Sequence, residues 1–256
     1  MSTVLKTLML LLALMLSSFS GQPRAQDPVP LSPQAEALIA PVAEAITAEE
    51  ARQAALPPPA DVGERLERMG QLDQVGRRAL IQVDVSVLPE DERSAALAAM
   101  WAPVSAMDDR LLAELLQLIP EEGWFTKSKY GARASEAAFL IIQHSNIEQW
   151  RRFVPILEPL ALAGEVDGED YGLMYDRLAV NEGRPQRYGS QATCEDGKWG
   201  IDWDNLEDPS NADQRRRDLG FSLTLEEYEA LFADYPPCNI RRISAGAGPS
   251  GSAMGA

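Results

Sequence analysis

The sequence predicts a mainly α-helical protein, a compact helical domain with a small β-hairpin near residues 191–203. Three observations predict it. Aromatic residues make up only 7% of the 256-residue chain while alanine and leucine abound, which suits helices packed through small side chains better than a sheet sandwich. From residue 61 onward apolar residues recur at three- and four-residue spacing, the period of one helix face. Finally, Asp196 and Gly197 stand between two short flanking segments, a dipeptide favoured where a tight hairpin turn needs positive φ.

Residues 1–25 have the three parts of a secretory signal: Lys6 near the start, an unbroken apolar run of nine residues from Leu8 to Leu16, then small residues. A bilayer-spanning helix needs roughly 20 residues, so a cleaved leader is expected, with no membrane insertion after cleavage. Cleavage fits after Ser20 or after Ala25. Since the first cysteine is Cys194, no thiol lies beside either cut to be lipidated. The expected destination is the periplasm or the exterior.

Charge narrows the partners. Lysine and arginine number 23 against 39 aspartates and glutamates, a formal charge of −16 that becomes −18 once Lys6 and Arg24 leave with the signal. Such a chain lacks the clustered cations that nucleic acid or an anionic membrane surface would need. In an exported protein two cysteines are expected to pair. A Cys194–Cys238 disulfide would close a loop of about 45 residues and contribute about 4 kcal/mol through chain entropy.

Residues 26–60 read as an accessory helical segment and proline-rich linker. Ser32 caps a helix with Pro33 in its first turn, Thr47 with Glu50 makes a second capping box, and Pro57, Pro58 and Pro59 stop any helix. Residues 61–243 read as a single mainly helical domain, with helical patterns at 61–85, 90–101, 108–119, 132–145, 147–163 and 169–181. Asp61 with Glu64, Asn146 with Gln149 and Asp167 with Asp170 cap three of them, and Gly164 and Gly183 stand at ends. Pro155 and Pro159 should kink or divide the pattern at 147–163. Beyond the hairpin, residues 209–218 and 224–233 form two short helices, the second opened by Thr224 with Glu227. The tail, residues 244–256, is Gly, Ser and Ala with almost no charge and should be disordered.

Several polar residues stand where core residues are expected. The first stripe of the main domain runs Val62, Leu66, Met69, 73, 76, Leu80, Val83, Val87, and position 73 is an aspartate. A carboxylate on a packing face needs a donor or a cation; Gln74 and Arg77 lie within reach, unless Asp73 and Arg77 simply pair at the surface. The run from Ala137 to Ile142 is apolar on all sides, so Gln143 and His144 come off its last buried turn. His144 is the only histidine, and the first candidate for moving a proton; a hydrogen-bonded core histidine is the plainer alternative. Asp176 is a second acid able to orient that ring, with Arg177 beside it suited to an anionic group, or the two form a salt bridge between helices. The loop of residues 183–191 adds Arg184, Gln186, Tyr188, Ser190 and Gln191 on a path fixed by Pro185 and Gly189. Trp124 and Thr126, after Gly123, form a second non-helical patch, either core plug or pocket wall.

Leu72-Asp73-Gln74 with Arg77, Gly123-Trp124 with Thr126, Gln143-His144, Tyr175-Asp176-Arg177 and the run Gly-Arg-Pro-Gln-Arg-Tyr-Gly-Ser-Gln ending at Gln191 together resemble a bacterial domain family of unknown function, number 6624 in its series. The likeness covers roughly residues 64–192, and its last segment is the most specific. Where members usually carry proline after the tryptophan and threonine before the final glutamine, this chain has Phe125 and Ser190. The resemblance implies no reaction, but it marks the polar residues that the stripes select.

Two functions follow as expectations. The first is a non-catalytic module that binds a small polar ligand, a peptide or a partner protein around His144, Asp176, Arg177 and the 183–191 loop, since glutamine, tyrosine and arginine recognise better than they catalyse. The second is an exported hydrolase with His144 as general base, oriented by Asp176 or Asp73, with Arg177 or Arg184 holding a carboxylate or phosphate. No Gly-x-Ser-x-Gly nucleophile motif accompanies it. A buried network that only fixes helix register is a third possibility. No cofactor is expected: one histidine, with no pair of acid ligands at helical spacing around it, leaves too few donors for zinc.

Overall fold

The computed structural model describes residues 30–235 and 238; the expected leader, residues 1–25, and the expected tail, residues 244–256, lie outside the described residues. Among the described residues are nine α-helices and one two-stranded antiparallel sheet, the mainly helical fold with a small hairpin that the sequence predicts. No described helix is long and apolar enough to cross a membrane.

Helix α1 spans Pro33–Ala54 and begins as expected, with Ser32 Oγ accepting from the Ala35 amide at 3.2 Å. The second cap expected at Thr47 does not form. Its hydroxyl donates back to the Ala43 carbonyl at 2.9 Å and the helix runs through. Val42 and Ile46, one turn apart, are buried in the principal core and hold the segment helical. After the prolines, Asp61 caps α2 (Val62–Leu80) by accepting from the Glu64 amide at 2.8 Å. The buried face of α2 includes Leu66, Met69, Leu72, Asp73, Gly76 and Leu80. Val62 and Val87 of the expected stripe are exposed, the latter because the helix ends at Leu80 and not near residue 85. Gly76 allows its neighbours to close in: a Cβ there would lie 2.9 Å from Ile46 Cδ1 and 3.0 Å from Val104 Cγ2.

Two helices expected at 90–101 and 108–119 are one, α3 (Glu90–Leu118). Pro103 inside it costs about 3 kcal/mol. Against that, Ala96, Met100, Val104, Met107, Leu111 and Leu115 make one buried stripe straight across the expected break, the larger side chains worth roughly 1.5–3 kcal/mol each. Burial wins. After the short α4 (Lys127–Tyr130) come α5 (Ala132–Gln143), α6 (Ile147–Leu162) and α7 (Gly168–Asn181). Helix α6 runs undivided through Pro155 and Pro159, which both lie on its exposed face, where freed carbonyls are open to solvent and cost less than in the core. Asn146 and Asp167 cap α6 and α7 as expected.

At the centre stands α2, packed against α1, α3 and α5, while α6 pairs with α7. Strands β1 (Ala192–Glu195) and β2 (Lys198–Ile201) join through Asp196 and Gly197, with φ of 49° and 79°. Helix α8 (Ala212–Leu219) and helix α9 (Leu225–Ala230), the latter opened by the Thr224–Glu227 capping box, share a second small core with Ile201, Leu206 and Phe232. The Cys194–Cys238 disulfide is formed, its Cα atoms 6.0 Å apart.

The first turn of α7 holds a misfit charge. Burial first, then the neighbouring Asp167 and Glu136 carboxylates, push the Asp170 carboxyl up to about 7. Because its folded-state pKa lies above the unfolded one, the stability linked to this group is complete below about pH 4 and is lost as pH rises through about 7. The shift corresponds to about 4 kcal/mol, and partial exposure of the side chain roughly halves that. Asp170→Asn is therefore expected to match the wild type near pH 4 and to exceed it by about 2 kcal/mol near pH 8. Urea midpoints measured across that interval check this, and parallel curves for the two proteins would contradict it.

Candidate functional site

The apolar stripe of α2 carries Asp73 into the interior, where the side chain is 1% exposed. His144, the C-terminal cap of α5, meets it there: Nδ1 lies 2.9 and 3.0 Å from the two carboxylate oxygens, across 71 residues of sequence. A carboxylate only accepts, so Nδ1 carries the proton of this bond and Nε2 presents its lone pair when the ring is neutral. Among the described residues Nε2 has no hydrogen-bond partner, and the side chain is 7% exposed. The Gln74 amide donates to the same carboxylate at 2.7 Å.

Arg77 turns elsewhere. Its fork grips Asp108 of α3 with two bonds of 2.9 Å, while its closest approach to the Asp73 carboxylate is 3.9 Å. The alternative of a surface pair between Asp73 and Arg77 does not hold: Arg77 makes a buried bridge from α2 to Asp108 of α3, and Asp73 is given to the histidine. Burial pushes the Asp108 carboxyl up, and the bonded guanidinium pulls it back down. Sequence reasoning missed Asp108 because it stood at the edge of an assumed helix break. Its place between Val104 and Leu111 on one continuous stripe is the signal that would have found it.

Arg177 of α7 reaches toward the end of α5, with NH1 3.5 Å from the Gln143 carbonyl and the guanidinium 5.8 Å from the Trp150 ring. Burial holds its pKa below the usual arginine value, and no carboxylate lies within ion-pair distance of it among the described residues. A half-buried guanidinium with a single long bond to the protein has donors left for an anion.

Asp176 does something different. Neighbouring helix positions project about 100° apart, and this side chain leaves α7 toward the loop, not toward His144. Fully buried, it accepts from the amides of Arg187, Tyr188 and Ser190 at 2.7, 3.1 and 2.9 Å, and from Ser190 Oγ at 2.9 Å. Burial pushes its carboxyl up while these four donors pull it down. Gln186 closes the same loop on itself: its Nε2 donates to the Gln191 carbonyl and its Oε1 accepts from the Gln191 amide. Arg216 of α8, also missed in the sequence, donates to the Tyr188 carbonyl at 2.8 Å from a position 2% exposed.

The remaining candidates stand apart from the Asp73–His144 pair. Arg184 is bridged to Glu182 at 2.7 Å. Trp124 is core, packed on Phe125 and Phe153, with its Nε1 lacking a partner among the described residues. Thr126 precedes α4 without bonding its amides. Two networks result, one around Asp73 and His144 and one around Asp176 and the loop, and they adjoin at neighbouring residues of α7. Among the described residues no group of three or more His, Cys, Asp or Glu side chains is arranged to hold a metal ion.

No curated protein and no solved structure matches the chain. The sequence profile of DUF6624, a family of unknown function, matches residues 60–239, well over half of the sequence and reaching from the proline break past the disulfide, and the chain belongs to that family.

Proposed function

We propose that the protein is an exported hydrolase in which His144, oriented by Asp73, removes a proton from an attacking water while Arg177 holds a carboxylate or phosphate of the substrate. One observation carries this: the single imidazole of the chain is held through Nδ1 at 2.9 and 3.0 Å by a carboxylate that is 1% exposed, and its Nε2 has no partner among the described residues. A core histidine held only for packing satisfies both nitrogens, whereas a general base needs one fixed and one free. Export is supported by the leader pattern of residues 1–25 and by the disulfide, a bond that persists in oxidising compartments. The loop argues less for recognition than its composition suggests, since Gln186, Tyr188 and Ser190 are buried.

Binding without turnover has one observation in its favour. The Ser145 hydroxyl next to His144 donates to the Ile142 carbonyl at 2.6 Å, so no serine nucleophile is poised beside the ring. The site would then hold a small anion on Arg177 and His144. Screening the purified protein against carboxylic and phosphoric esters, amides and glycosides separates the two. Turnover abolished by His144→Ala supports the hydrolase; no turnover of any class, with an anion bound through Arg177, leaves a binding protein.

A further inference from the structure

The space between α5 and α7 is not filled by side chains. A cleft of about 470 Å³ opens between these helices, and its lining includes neither Asp73 nor His144. That size is ordinary for a small-molecule site. Its walls are apolar at Phe139, Val166 and Leu173, and they carry Glu136 from α5 and Asp170 from α7. Lys127 lies 3.7 Å from Asp167, which also caps α7, and Glu169 reaches Ser222 at 3.4 Å. Glu136 and Asp170 have no cation within ion-pair distance among the described residues. Ser135 is the independent sign of a ligand. It is 2% exposed and lines the cleft, yet its hydroxyl makes no hydrogen bond among the described residues, whereas Thr47 and Ser145 return theirs to a carbonyl of the preceding turn.

We propose that this cleft binds an aliphatic primary amine, the ammonium received by Ser135, Glu136 and Asp170 and the carbon stem laid on Phe139 and Leu173. An ammonium has three donors and no acceptor, which matches one hydroxyl and two carboxylates that now lack donors. The apolar walls favour an alkyl ammonium over a hydrated metal ion, consistent with the lack of a metal-holding group among the described residues. Asp170 is faced by Asp167 and Glu169 from its own helix, by Glu136 from α5 and by Lys127 from α4. Burial and that acidic company raise its carboxyl to about 7, so a bound cation favours its ionised form. Affinity therefore grows as pH rises from about 6 to 8, while the amine itself stays protonated.

Calorimetric titration of the whole folded protein with cadaverine at low salt tests this. The expected result is one site, about tenfold tighter at pH 8 than at pH 6, weakened about tenfold by Asp170→Asn and several-fold by Ser135→Ala. Glu44→Gln, which removes an exposed acid on α1, should leave the affinity within about twofold. Should Ser135→Ala fail to fold, Asp170→Asn and the pH dependence decide. No binding at about 10 mM amine, unchanged affinity in the cleft variants, or an equal loss in Glu44→Gln, the mark of diffuse attraction to an acidic surface, each overturns the proposal.

Discussion

Replacing Asp176 with alanine is expected to cost about 4 kcal/mol of folding free energy, a large part of what a domain of this size possesses. The carboxylate is fully buried and is the acceptor for three loop amides and one hydroxyl. Truncation leaves these donors without a partner in a dry environment, at about 1–3 kcal/mol for each that water cannot reach. Asp176→Asn should cost less, about 2–3 kcal/mol: one oxygen is kept, and the new NH₂ faces an N–H it cannot bond while the Ser190 hydroxyl can rotate to accept. Amide exchange at Arg187, Tyr188 and Ser190 should quicken in both variants before global unfolding is reached. Midpoints in urea that match the wild type for Asp176→Ala would mean that the loop holds itself, through Gln186 and Arg216, without the aspartate.

The fate of Asp176 shows where sequence reasoning ends. Local chemistry is legible in the chain: the caps at Asp61, Asn146 and Asp167, the Thr224–Glu227 box and the Asp196-Gly197 turn each depend on residues a few positions apart, and each forms. Asp73 is legible too, because a stripe with an acid in it identifies a buried carboxylate before its partner is known. The partner is a different matter. His144 lies 71 positions away, and nothing in the sequence distinguishes Asp73 from Asp176 as the acid beside it. Both are buried acids on amphipathic helices, and only the packing of α2 against α5 gives the ring to one of them. Asp108 and Arg216 were invisible for related reasons, one hidden by a helix break that burial overrides, the other a charged residue whose donors satisfy loop carbonyls. A buried arginine is found only by the carbonyls it serves.

Removal of the imidazole in His144→Ala is expected to lower kcat/KM by about 10²–10⁴-fold on whichever substrate class the protein hydrolyses, about 3–5 kcal/mol of transition-state stabilisation. Asp73→Asn should come close to that loss. Asparagine would offer Nδ1 an oxygen or an NH₂ in nearly the same place, but without the charge that stabilises the imidazolium as it forms. Since the two side chains touch at 2.9 Å, the double variant should be hardly slower than His144→Ala alone. Arg177→Gln belongs to a different class. Its guanidinium sits beside the Gln143 carbonyl without a carboxylate partner among the described residues, so its loss should raise KM for an anionic substrate more than it lowers kcat. Circular dichroism and thermal melts must first establish that each variant is folded, because Asp73 also accepts from Gln74 and helps seat α5 on α2. A folded His144→Ala that retains wild-type kcat/KM would remove the proton-transfer role, and additive losses in the double variant would show that Asp73 does not act through the ring.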